Sequence, residues 1–89
     1  MVCYIVIFEL SDPARLATVR EALKSFGNYC PLTTRAWAIK TEKSAVQVRD
    51  QLSTAFGPDD RLFILRSGTE GAWRNSYSVK HNDWLKKNL

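Results

Sequence analysis

With 89 residues, 45% of them hydrophobic and 25% charged, the chain has the composition of an ordinary globular domain, which excludes intrinsic disorder and collagen-like structure. Thirteen Lys and Arg against nine Asp and Glu leave a net charge of +4, and no apolar run reaches the roughly 20 residues of a membrane span. A chain this short buries only about 60–65% of its unfolded surface, so its core must be efficient or be completed by a second copy.

Residues 1–9 are apolar but lack the basic n-region and small-residue cleavage site of a signal peptide, so a cytoplasmic protein is expected. No linker divides the sequence, and one domain is expected over 1–89, with a core over about 2–66 and a distinct segment over 67–89. Residues 2–10, rich in Val, Ile, Tyr and Phe, read as a first strand. Asp12-Pro13 supplies an N-cap and a first-turn proline, and Leu16, Val19, Leu23 and Phe26 follow at helical spacing. Gly27 stands where a left-handed C-terminal residue belongs. Residues 28–32 contain Pro31 and suit an edge strand, because proline cannot donate to a ladder. After a turn at Thr33-Thr34, residues 35–41 form the other arm of a hairpin, with Trp37 and Ile39 on one face and alanines on the other. Ser44 and Gln47 match a capping box; Ala45, Val48, Leu52, Ala55 and Phe56 make one helical face, and Gly57-Pro58 stops it. Residues 61–66 read as a buried strand ended by Gly68. Beyond it come a turn at Gly68-Thr69-Glu70-Gly71, a short element at Ala72-Trp73-Arg74, and a final turn capped by Asn82-Asp83, with Trp73 and Trp84 expected to dock.

The order β-α-β-β-α-β predicts an α+β, ferredoxin-like fold: a four-stranded antiparallel sheet with two helices on one face, plus a C-terminal extension. On the first strand Val2, Tyr4, Val6 and Phe8 point one way and Cys3, Ile5 and Ile7 the other, so both faces are apolar. Two helices cover only one of them. The other is expected to be covered by a second chain, making a homodimer, or by the C-terminal segment.

Glu9 and Asp12 lie three residues apart where the first strand runs into a loop. Close carboxylates of this kind suit Mg²⁺, which takes oxygen ligands and activates water against a phosphodiester. Asp12 is equally accounted for as a helix cap, and Glu9 as an exposed strand end. A twofold axis near this strand end would gather Glu9 and Asp12 of both chains into one acidic cleft. Ser11, between them, fits either turn chemistry or the orientation of a phosphate. The positive balance suits a phosphate-bearing partner, and Arg15, Arg35 and Lys40, with Arg61 and Arg66, are the cations placed to meet one. Arg35-Ala36-Trp37-Ala38-Ile39, with Tyr4, partly resembles the aromatic strand motifs of RNA-recognition domains, although core packing accounts for Trp37 equally well. Cys3 and Cys30 lack metal or redox spacing and are expected as buried thiols; His81 is the only histidine and is unassigned.

Ile7-Phe8-Glu9-Leu10, Phe26-Gly27, Arg35-Ala36-Trp37 and Asp59-Asp60-Arg61-Leu62-Phe63-Ile64 together resemble the superfamily of CRISPR-associated Cas-two proteins and virulence-associated protein D. The segment Thr41-Glu42-Lys43-Ser44-Ala45-Val46-Gln47-Val48-Arg49-Asp50 is more similar to stand-alone bacterial relatives outside CRISPR loci. The resemblance implies a ferredoxin-like homodimer that handles RNA or DNA, with Mg²⁺-dependent endoribonuclease or nuclease activity in some members and a scaffold role in others. The acidic position that follows the first strand falls on Glu9, one methylene longer than the family's usual aspartate. The expected function is therefore a nucleic-acid-associated homodimer with Glu9 and Asp12 as catalytic Mg²⁺ ligands and Arg15, Arg35 and Lys40 on the nucleic acid. The alternatives are a non-catalytic scaffold or an RNA-binding sheet.

Overall fold

Alternating apolar residues on two faces commit the N-terminal segment to the middle of a sheet, and that is where it lies. The computed structural model describes residues 1–68 and 70–89. Its elements are β1 (Val2–Glu9), α1 (Leu16–Lys24), β2 (Tyr29–Thr33), β3 (Ala36–Thr41), α2 (Ala45–Ser53), β4 (Arg61–Arg66) and α3 (Val79–Asn88). The strand order is β2-β3-β1-β4, and every neighbouring pair is antiparallel. β1 and β2 therefore run parallel with β3 between them, and β3 and β4 run parallel with β1 between them. Each helix is the crossover of one such split unit, which is the ferredoxin-like arrangement.

One sheet face carries Tyr4, Val6, Phe8, Trp37 and Ile39, which pack beneath Val19 and Leu23 of α1 and Val48 and Leu52 of α2. Aromatic contacts tie its margins: Phe8 meets Phe56 edge-on with ring centroids 5.9 Å apart, and Tyr29 lies 5.5 Å from Trp37. Local chemistry sets the helix ends. Ser44 and Gln47 form the reciprocal capping box, and Gly27 adopts φ +81, the left-handed conformation that glycine reaches without a Cβ clash. Asp12 caps the turn that opens the first helical segment, but Pro13–Arg15 is wound as a 3-10 helix and the α-helix begins only at Leu16.

The C-terminal segment covers part of the second face. Its helix α3 is longer than the final turn expected from Asn82-Asp83: it starts at Val79, capped by the Ser78 hydroxyl, which accepts from the backbone N–H of His81. Leu85 and Trp84 pack on Cys3, Cys30 and Ala38, where the small alanine lets the helix approach the sheet. Trp84 Nε1 donates to Asn28 Oδ1 at 2.8 Å, and Lys40 Nζ donates to Asn88 Oδ1 at 2.9 Å. Both cysteines are free and buried; burial raises their thiol pKa values, partly offset at Cys3 by the Lys40 charge. Trp73 docks only within its own segment, through a 2.6 Å bond from Nε1 to Asn82 Oδ1. No helix or strand forms at residues 72–74. The turn expected at Gly68-Thr69-Glu70-Gly71 includes Thr69, outside the described residues.

α3 sits over the β2 side and leaves the β1–β4 side open. The segment 61–66, expected to be buried, is instead an edge strand: Phe63 and Leu65 are 57% and 53% exposed, and Ile7 beside them is 41% exposed. Four apolar residues in a row mark a strand, but they do not reveal whether a second layer covers both its faces. Among the described residues, no helix is long and apolar enough to cross a membrane.

These two layers predict separable losses. Leu23→Ala, at a fully buried position, should cost about 3 kcal/mol in urea unfolding, and Leu85→Ala about 2 kcal/mol. An unchanged midpoint for Leu85→Ala would show that α3 contributes nothing to the folded state.

Candidate functional site

β1 ends where β4 begins, and the register sets Glu9 opposite Arg61. The two side chains form an ion pair on the sheet face that α3 leaves open. Both are about two-thirds exposed, so the pair is a modest electrostatic contact. Asp12, just beyond the strand, is occupied differently. Its Oδ1 accepts the backbone N–H of Ala14 at 3.0 Å, and its Oδ2 lies 3.9 Å from Arg15 Nη1. The structure thus brings Glu9 and Asp12 to one end of the sheet, each with its own partner. Among the described residues, no three His, Cys, Asp or Glu side chains gather as a metal site. Glu9, Asp12 and Asp59 are exposed carboxylates at this end.

The carboxylate that organises this end is Asp60, whose side chain is fully buried. Its Oδ1 accepts from the Ser11 backbone N–H at 2.7 Å, the Ser11 hydroxyl at 3.0 Å and Arg15 Nη2 at 3.0 Å. Its Oδ2 accepts from Arg15 Nε at 2.9 Å and the Gly57 backbone N–H at 2.7 Å. The guanidinium is held side-on in a two-point fork, with Nη2 also donating to Ser11 Oγ at 2.9 Å. These donors, Arg15 first, hold the Asp60 carboxyl well below the usual carboxylate range, and the carboxylate in turn raises the Arg15 pKa. Gly57 is required by space: a Cβ there would stand 2.8 Å from Arg15 Nη2.

The remaining predicted cations divide. Arg35 closes the β2–β3 turn at the same sheet end, where its carbonyl accepts from Phe8 N–H at 3.0 Å and its Nη1 donates to Thr34 O at 3.5 Å. Lys40 pairs with Cys3 in the register, about 20 Å along the strand from Glu9. It lies beneath α3 and does not share the site. Tyr4 and Trp37 are 6% and 2% exposed on the helix-covered face, so neither offers a ring to a stacking base. The sequence alone does not single out Asp60. The available signal was an arginine in the first helical turn, facing a double aspartate after Gly-Pro.

Fold and site together define a ferredoxin-like α+β protein with a C-terminal helix on its second sheet face and a loop end clamped by a buried carboxylate. No family model, curated protein or solved structure matches the chain.

Asp60→Asn should lower the melting temperature at pH 7 by about 10 °C, because it breaks a buried charged fork. The folded-state pKa lies below the unfolded value of about 3.9. The charge therefore stabilises fully above that value and progressively less as pH falls toward the folded pKa. The gap between wild type and Asp60→Asn should hold from pH 7 to about 5 and narrow below about 4. A constant gap down to pH 2.5 in thermal melts would assign the effect to shape rather than charge.

Proposed function

We propose that the chain is a cytoplasmic Cas-two-like homodimer that associates with RNA or DNA and uses Glu9 and Asp12 at a Mg²⁺-dependent phosphodiester-cleaving site. The observation that carries this reading is the open half of the second sheet face. Ile7, Phe63 and Leu65 lie exposed there, and Glu9 stands on the same face two residues beyond Ile7. A second copy sealing this patch about a twofold axis would bring the two Glu9 side chains, and the Asp12 loops beside them, toward each other. Around that end, Arg15, Arg35 and Arg61 face Glu9, Asp12, Asp59 and Asp60, a near-balanced charge that a bound Mg²⁺ would turn favourable to phosphate. In this reading Glu9 and Asp12 would hold the metal, which would supply Lewis-acid polarisation of the phosphodiester and an activated water, while Arg15 and Arg35 would position the backbone.

The ion pair between Glu9 and Arg61 supports the alternative, a non-catalytic scaffold dimer in which Glu9 serves only the strand end. Two measurements separate these readings. Light scattering should give twice the 10.2 kDa chain mass, and Phe63→Glu, at an exposed position, should give a folded monomer. Labelled single-stranded RNA and duplex DNA should be cleaved with Mg²⁺ and not with EDTA, and Glu9→Gln or Asp12→Asn should reduce the rate about 100-fold or more. Equal cleavage by all three proteins, or none by any, removes catalysis and leaves the scaffold. A wild-type monomer removes the dimer and the shared site with it.

A further inference from the structure

A second concave surface lies on the other side of the molecule, where the C-terminal segment meets the β2–β3 hairpin and α1. It encloses about 360 Å³, within the range of small-ligand clefts. Leu16, Pro31 and the edge of Trp37 make an apolar floor. The rim is polar and cationic: Arg20 from α1, Thr33 and Thr34 from the hairpin, and His81 from α3, with Tyr77 as a side wall. Among the described residues, no carboxylate lines it. Arg20 is exposed and, among the described residues, makes no ion pair or side-chain hydrogen bond, so its fork is available to a ligand.

The other rim groups are oriented as donors. Ser78 Oγ accepts from the His81 backbone N–H and lies 2.7 Å from His81 Nδ1. That contact occupies Nδ1 and leaves Nε2 as the ring nitrogen free to meet a ligand. Thr33 Oγ1 accepts from the Arg35 N–H, which leaves its proton to donate. The first turn of α3 adds the positive end of its helix dipole. Tyr77 meets His81 edge-on at 5.7 Å and is 56% exposed, so its ring keeps a face open. A guanidinium, an imidazole and two hydroxyls around an apolar floor suit an anion, and a phosphate monoester presents three terminal oxygens to them. An apolar floor with an aromatic wall suits a flat ring attached to that anion.

We propose that this cleft binds one nucleotide, its phosphate held between Arg20 and His81 and its base against Tyr77. The site lies at the β2 edge, across the sheet from Glu9 on the β4 side. It deepens the nucleic-acid reading, on which the choice of a nucleotide as occupant rests, and it tests separately because binding here requires neither cleavage nor dimerisation. The occupant is a nucleotide, either a free monophosphate or one unit of a single strand.

The test is a titration of the ¹⁵N-labelled full chain with adenosine 5′-monophosphate, adenosine, inorganic phosphate and a 5′-phosphorylated tetraadenylate. The monophosphate should shift the amides of Thr33, Thr34 and His81 and the Trp37 indole, with a dissociation constant of about 0.1–1 mM. Adenosine and inorganic phosphate should each bind about ten-fold more weakly or worse. Arg20→Ala and His81→Gln should each weaken binding about ten-fold with the rest of the spectrum unchanged. Arg49→Ala, on α2 and away from the cleft, should leave binding as it is. Tighter tetranucleotide binding with the same dependence on Arg20 assigns the cleft to a strand, and equal binding assigns it to a free mononucleotide; both uphold it. Shifts spread evenly over the basic surface, none at these residues by about 10 mM, or an Arg20→Ala variant that binds like wild type would overturn it. Loss of this binding with Mg²⁺-dependent cleavage intact would sink the cleft alone, and the converse would sink only the catalytic reading.

Discussion

The structure depends on β1 being apolar on both faces while sitting between β3 and β4. A central strand with Val6 and Phe8 on one side and Cys3, Ile5 and Ile7 on the other cannot remain at a water boundary. The two crossover helices satisfy the first side completely, since Val6, Ile39, Leu23 and Val48 are fully buried. The second side needs a cover that the βαββαβ unit does not contain. The C-terminal helix provides it over β2 and β3 through Leu85 and Trp84, and the requirement passes outward to Ile7, Phe63 and Leu65. The open patch is thus the remainder of a constraint set by the first nine residues.

Asp60 has an equivalent place at the loop end. Two connections, one leading from β1 into the first helical segment and one from α2 into β4, must be held together where no ladder continues. One carboxylate accepting from two backbone amides, a hydroxyl and a guanidinium joins them at a single point. Burying such a charge without partners would be expensive, so the geometry is all-or-none: every donor must be present for the loop end to close. Holding Arg15 in this way leaves Asp12 with its backbone capping bond, and leaves Glu9 to find Arg61 across the ladder. The exposed carboxylates at this end are accordingly those that the clamp does not consume.

Much of the fold was legible in the sequence because its signals are local. The Ser44–Gln47 capping box, the left-handed Gly27, the edge position implied by Pro31 and the Trp37/Ile39 alternation each depend on neighbours a few residues away, and the strands and both core helices follow from them. What stayed hidden is non-local. Arg15 and Asp60 are 45 residues apart, and nothing in Asp59-Asp60 distinguishes an aspartate turned inward from one left in solvent. The last helix was understated for a related reason. Val79–Asn88 carries only Leu85 fully buried, too sparse an apolar face for periodicity to announce it, and its stability comes from docking on the sheet. Register likewise decided the candidate site. Glu9 and Arg35 meet at one end and Lys40 lies at the other, a separation that follows from pairing β1 with β3 residue by residue.

The placement of α3 therefore links the two proposed surfaces. By lying on the β2 side, it covers the buried thiols and the half-buried Lys40, and its N-terminal turn brings Tyr77 and His81 against the hairpin, where Arg20 faces them. By stopping short of β4, it leaves the apolar strip beside Glu9 uncovered. A helix shifted by one strand toward β4 would seal that strip and dismantle the cleft together, because ten residues of helix span about 15 Å and cannot serve both halves of the face. One packing choice, forced by a two-faced strand and limited by the ten-residue length of α3, thus sets where the proposed second copy and the proposed anion would sit.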